Sequence, residues 1–156
     1  MVDLEKIVTS HRFLGGLNQQ HLDKIVGCSV MADFNAGKYI FRQGDKAENF
    51  YLLTKGRVTV GLDSPEKETL LVETLNVGDV LGWSWLVPPF KWRFNAVAAS
   101  ATHAIVVNGE QLRSLCEEDH ELGFQITKRF LNVIATRLEM ANEQFLDMVA
   151  MKRGIK

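Results

Sequence analysis

The sequence predicts a mainly β protein with helices, an α+β fold. An antiparallel β-roll or jelly roll is flanked by a short N-terminal helix and a long C-terminal helix, with a further short helix inside the roll. Two observations predict it. Between about residues 29 and 107, short runs rich in β-branched and aromatic residues alternate with glycine-containing turns. From about residue 120 to 151, apolar residues recur at helical spacing without interruption. A chain of 156 residues, 46% hydrophobic and 24% charged, fits one ordinary domain with a real core. We therefore read 1–156 as a single unit, with the N-terminal helix and roll over about 13–107 and the C-terminal helices over about 108–151.

The elements come in order along the chain. Phe13-Leu14-Gly15-Gly16-Leu17 reads as an apolar turn that anchors the next element, and Asn18 caps a helix over 19–26 that Gly27 stops. Strands are expected at 29–35, 38–42, 49–54, 57–62, 69–75, 94–100 and 103–107. Breaks fall at Ala36-Gly37, Gln43-Gly44-Asp45, Asp63-Ser64-Pro65 and Asn76-Val77-Gly78-Asp79, and Lys55-Gly56 reads as a tight hairpin. After Asn108-Gly109 a short helix spans 110–116. Asp119-His120-Glu121 then opens the long helix, whose apolar face includes Leu122, Ile126, Val133, Ile134, Leu138, Ala141, Phe145, Met148 and Val149. Acids near its start and Lys152, Arg153 and Lys156 at its end complement the helix dipole. At roughly 45 Å it is too long for a small roll to cover. A second copy of the same helix is the simplest partner for the remainder, so a homodimer through 120–151 is expected. The alternative is a helix that folds back on the roll and frays at its end.

Several function classes are excluded or weakened. A formal net charge of −1, from 18 basic and 19 acidic residues, argues against a dedicated nucleic-acid binder. The opening Met1-Val2-Asp3-Leu4-Glu5-Lys6 has acids where a secretory leader carries positive charge, and no apolar run is long enough to span a bilayer. Cys28 and Cys116 form no paired motif, which suits two thiols in a reducing cytoplasm. His11, His21, His103 and His120 are scattered, so no metal-ligand set is visible, and Ser84 has no evident base to make it a nucleophile. The reading is non-enzymatic and cofactor-free, with neither membrane nor nucleic acid as partner.

Gly37-x-x-Ile40-x-x-Gln43-Gly44-Asp45 is followed by Phe50-Tyr51-Leu52-Leu53-x-x-Gly56-x-Val58-x-Val60 and then Gly78-Asp79-x-x-Gly82. This glycine spacing resembles that of the cyclic-nucleotide-binding domains, found in catabolite-activator-like regulators, kinase regulatory subunits and gated channels. The resemblance runs from about Phe13 to Phe145. It implies a β-roll whose phosphate-binding segment follows Gly82, with a short helix offering N–H groups to the phosphate and Arg93 closing on it by a forked contact. It further implies that the base is contacted from the long helix, near Ala141 and Asn142. The ligand-binding set expected from it is Gly82, Trp83, Ser84, Trp85, Arg93, Phe94, Asn95 and Asn142.

One departure bears on the ligand. Family members that bind cyclic AMP or cyclic GMP carry a glutamate directly after the turn glycine, where it accepts a hydrogen bond from the ribose; here that position is Trp83. Such a charged bond is worth about 1.5–3 kcal/mol, so its loss weakens binding on the order of 10- to 100-fold. Arg93 keeps the positive group, which favours another small anion. Trp83 and Trp85 either stack on a ligand ring or plug the pocket; two residues apart on a helix, they face nearly opposite sides. The leading expectation is a regulatory sensor whose output passes to an unknown protein partner, since only five residues follow Met151 and none form a DNA-reading element. The alternative is a ligand-free dimeric scaffold with a tryptophan-filled pocket.

Overall fold

The computed structural model describes residues 3–66 and 68–154; Met1, Val2 and Lys156, which entered the reading of the two ends, lie outside the described residues. Helices α1 (Leu4–Ser10) and α2 (Gln19–Gly27) precede eight strands, β1 (Ser29–Phe34), β2 (Tyr39–Phe41), β3 (Asn49–Lys55), β4 (Val58–Asp63), β5 (Thr69–Leu75), β6 (Val80–Leu81), β7 (Asn95–Ala98) and β8 (Thr102–Asn108). Helices α3 (Gly109–Glu118) and α4 (His120–Lys152) complete the chain. The strands form two antiparallel sheets, in orders β1-β8-β3-β6 and β2-β7-β4-β5, whose facing apolar residues make one core. The expected β-roll with a long terminal helix is thus present, together with two elements that the sequence reading lacked, α1 and the two-residue β6.

Lys55-Gly56 does not join a hairpin. β3 pairs with β8 and β6, whereas β4 pairs with β5 and β7, so the chain crosses from one sheet to the other at this point. Gly56 has φ of 90°, and a Cβ there would come within 2.7 Å of the Thr102 hydroxyl oxygen. Glycine therefore serves a tight crossing against β8 rather than a two-residue turn. β5 carries a bulge, since Val60 pairs with Glu73 but the next residue, Gly61, pairs with Leu71. The extra residue, Val72, is buried, and the strand's alternation is reset around it.

The core is organised about Phe130 of α4. Its ring meets Phe13 at 5.0 Å, Phe50 at 5.1 Å and Trp85 at 5.2 Å, each edge to face. The N-terminal segment is held on α4 by Arg129, which donates to the carbonyls of Phe13 and Gly15. His11 is buried; its Nδ1 accepts from the Phe13 amide at 3.2 Å and its Nε2 donates to the Leu53 carbonyl at 3.0 Å. Burial lowers its pKa, in keeping with this neutral, fully engaged ring.

Asp119 caps α4, accepting from the Leu122 amide at 3.2 Å, and also takes Lys24 Nζ of α2 at 2.8 Å. The Lys24 bond foremost, then the Leu122 amide, brings its carboxyl down to about 2. Its folded pKa lies below the unfolded value near 3.9, so the stabilisation is complete above about pH 4 and is lost as pH falls towards 2. Urea unfolding at pH 7 is expected to show a lower midpoint for Asp119→Ala than for the wild type, with the two curves converging at pH 2. A gap that persists undiminished at pH 2 would refute this assignment.

Candidate functional site

A cleft of about 210 Å³ lies where the second sheet, the segment after Gly82 and the middle of α4 meet. The sheet supplies Phe41, Val60, Glu73 and Leu75, the segment supplies Gly82, Trp83, Ser84, Trp92 and Phe94, and the helix supplies Asn132, Val133, Thr136 and Arg137. Its floor is aromatic. Trp92 stacks on Phe41 with ring centroids 3.7 Å apart and planes 6° from parallel, and Trp83 meets Phe94 edge to face at 6.4 Å. Gly82 has φ of 95°, and a Cβ there would stand 2.6 Å from the Trp92 ring, so only glycine lets this stack close over the turn.

Residues 83–90 form turns, not the short helix expected there. Its short-range bonds are three isolated i→i−3 turns, Leu86 N–H to Trp83 O at 3.1 Å, Val87 N–H to Ser84 O at 3.3 Å and Phe90 N–H to Val87 O at 3.0 Å. Pro88 and Pro89 explain the shortfall: neither offers an amide hydrogen, and proline turns the residue before it away from helical geometry. With no helix there is no helix dipole to attract a phosphate, and that part of the expected mechanism is withdrawn.

The expected ligand-binding set divides. Gly82, Trp83, Ser84 and Phe94 line the cleft. Trp85 does not: it is fully buried on the other side of the segment, stacked on Phe50 at 4.9 Å and set against Phe130. The two indoles thus face apart, and Trp85 is a core residue. Asn95 is also structural, buried in β7 with its side-chain oxygen accepting from the Gln43 amide at 2.7 Å. Asn142 is exposed on α4 and lies outside the cleft lining, although the helix still reaches the roll nearby, where Gln144 Nε2 donates to the Val72 carbonyl at 3.5 Å. Arg93 lies over the Trp83 ring at 5.0 Å and donates to the Pro88 carbonyl at 3.1 Å, outside the lining, while its Nη1 is buried without a partner.

Two charged residues in the cleft escaped the sequence reading. Arg137 continues the inward stripe of α4, Leu122, Ile126, Phe130 and Val133, so a cation occupies a position where the pattern calls for an apolar side chain. Its Nε and Nη1 are buried and have no hydrogen-bond partner among the described residues, and its guanidinium lies 5.8 Å from the Phe94 ring centroid. A buried donor without an acceptor costs about 1–3 kcal/mol, more when charged. The charge among apolar positions was the available signal. Glu73 faces the same cleft; burial raises its pKa, and the charge of Arg137 lowers it by less. Asp79, at the edge of the cleft, is already engaged by Arg12 at 2.7 Å and the Asn76 amide at 2.8 Å. Among the described residues there is no group of three or more His, Cys, Asp or Glu able to hold a metal ion, and no helix long and apolar enough to cross a membrane.

Comparison with known proteins gives a consistent result. The family model described as "Cyclic nucleotide-binding domain" matches residues 32–119. The CRP-like cAMP-activated global transcriptional regulator of Mycobacterium tuberculosis is 24% identical over 117 residues, 75% of this chain and 50% of that protein. Human cGMP-dependent protein kinase 2 is 33% identical over 79 residues, covering 47% of this chain and 10% of the kinase. The chain spans about half the length, or less, of these curated relatives. Among solved structures, a Geobacter metallireducens GS-15 protein named for cyclic nucleotide binding superposes with a TM-score of 0.78 at 27% identity, over 88% of this chain and 99% of that one. The sensor domain of the transcriptional regulator DNR from Pseudomonas aeruginosa shares the fold, with a TM-score of 0.71 at 18% identity over 86% of this chain and 91% of that one.

Proposed function

This chain belongs to the cyclic nucleotide-binding domain family, and from that membership we propose that it is a non-enzymatic sensor that binds a small anionic ligand in the cleft and signals through a dimer of α4. The observation that carries the reading is Arg137, whose two buried N–H donors have no acceptor among the described residues and which lies on the helix that would carry the signal. An anion seated there satisfies donors that are otherwise a liability, and draws α4 and the aromatic floor of the cleft together. Cyclic AMP and cyclic GMP are the first ligands to test. Trp83 in place of the family's glutamate weakens the contact to their ribose.

The dimer rests on a second stripe of α4. Leu131, Ile134, Leu138, Ala141, Phe145 and Met148 alternate at spacings of three and four, the pattern of a two-stranded coiled coil. Leu131, Leu138, Phe145 and Met148 are all more than 60% exposed in the single chain. Output by way of a separate protein partner, a single-domain organisation over 1–156 and a cytoplasmic location complete the proposal. The scaffold reading also has an observation in its favour. Two indoles and two phenyl rings already occupy much of the site, and 210 Å³ is below the roughly 300–1,000 Å³ of ordinary ligand pockets.

The test is a titration with cyclic AMP, cyclic GMP and other phosphate-bearing metabolites, followed by tryptophan fluorescence and thermal unfolding. Trp83 and Trp92 line the cleft, so occupancy perturbs emission, and binding raises stability by mass action. Saturable binding that weakens at least about 10-fold in Arg137→Gln is the expected result, the size of one charged hydrogen-bonded contact. No response from any anion, with the dimer intact, favours the scaffold.

A further inference from the structure

We infer that the ligand of this cleft is amphoteric and compact: an acid group for Arg137, a flat apolar body, and an ammonium or another strong hydrogen-bond donor for Glu73. The inference rests on the anion-binding reading of Arg137 and adds the ligand class. Arg137 and Glu73 line one cavity, one on α4 and one on β5. The guanidinium charge bears on the Glu73 carboxyl, yet the two make no ion pair, and no hydrogen bond to that carboxylate is made among the described residues. Arg137 is left with two buried donors to satisfy and Glu73 with a half-buried acceptor. The other carboxylate at the cleft, Asp79, is not free in this way, because Arg12 and the Asn76 amide hold it.

The placement of Glu73 is built into the strand. The bulge at Val72 resets the alternation of β5, so that Glu73 falls opposite Val60, itself a lining residue, instead of following the exposed run Thr69, Leu70 and Leu71. The rings of Trp83, Trp92 and Phe94 line the same cleft and offer apolar surface to a planar or hydrocarbon body. The volume, about 210 Å³, limits that body to the size of a single ring with short substituents. A ligand with only an acid group leaves the Glu73 carboxylate desolvated and unpaired. One with both groups satisfies each charge where it stands.

Three probes that share one ring separate the possibilities. 4-(Aminomethyl)benzoate carries both groups, 4-methylbenzoate the acid alone and benzylamine the ammonium alone. Isothermal titration of the full chain is expected to show 4-(aminomethyl)benzoate binding at least about 10-fold more tightly than either of the others. Glu73→Gln, nearly isosteric, is expected to abolish that advantage, with 4-methylbenzoate binding as tightly as before or more tightly once the unpaired carboxylate is gone. Equal affinity for the two carboxylates in the wild type overturns the inference and leaves the anion-binding reading intact. The inference alone also falls if none of the three binds but cyclic AMP does, in a manner weakened by Arg137→Gln. If no anion binds at all, both readings fall. Should Glu73→Gln instead lower the unfolding temperature and leave the ranking of the probes unaltered, the two charges pair with each other in solution and the inference is wrong.

Discussion

Replacing Trp85 by alanine is expected to remove about 3–5 kcal/mol of folding stability, the largest loss we anticipate from any single change in this chain. The indole is wholly buried, stacks on Phe50, closes edge to face on Phe130 and lies against the backbone where α3 begins. No neighbour is placed to refill a void of that size at the meeting point of roll and helix. Against the roughly 5–15 kcal/mol that holds a domain of this size together, the variant sits near the edge of folding. Urea denaturation followed by circular dichroism measures the loss. Trp85→Phe retains a ring on Phe50 and relieves an indole N–H that is buried without a partner, so it is expected to recover most of the difference. A small effect of the alanine variant, below about 1 kcal/mol, would contradict the core assignment and reopen a surface or ligand role for Trp85.

The second large effect concerns association. Leu138→Glu puts two carboxylates face to face at the middle of the proposed α4 seam, where each would be desolvated beside a like charge. Its dissociation constant is expected to rise at least about 100-fold, equivalent to some 2.7 kcal/mol, by sedimentation over a concentration series. Leu138 is 61% exposed in the single chain, so the fold of each copy is expected to survive with an unchanged circular dichroism spectrum. A wild-type chain that is monomeric at every concentration, or a variant that associates as well as the wild type, would remove the seam from the proposal.

The β-roll is legible because its signals are local. Glycine turns and β-branched runs mark strands one by one, and β5 is expected and found over the same residues, Thr69–Leu75. What the sequence does not disclose depends on pairing across distance. Lys55-Gly56 has the composition of a hairpin, and only the partners of β3 and β4 reveal it as a crossing. The bulge that turns Glu73 inward is a mismatch between two strands and leaves no mark on either alone. For the site, the resemblance points to the segment after Gly82, and Gly82, Trp83, Ser84 and Phe94 line the cleft. Arg93, Asn95 and Asn142, also in the expected set, lie outside that lining, Asn95 because its side chain serves the turn at Gln43. Pro88 and Pro89 already signal that no helix forms in the segment after Gly82. Arg137 is readable in principle as a charge on an inward stripe, but the more conspicuous seam a little further round the same helix masks it.

Arg129 grips the carbonyls of Phe13 and Gly15 across 116 and 114 residues of chain, and Phe13 rests on Phe130. During synthesis this segment is therefore made well before the helix on which it finds its seat. At roughly 5–20 residues per second, on the order of ten seconds pass before the helix that receives it exists. Throughout that interval Val8, Leu14 and Leu17, all buried in the finished protein, have no core to enter. The segment is thus a latch that closes only once α4 has been made, and a product broken off before α4 would carry it unseated, an apolar mark for chaperones and proteases.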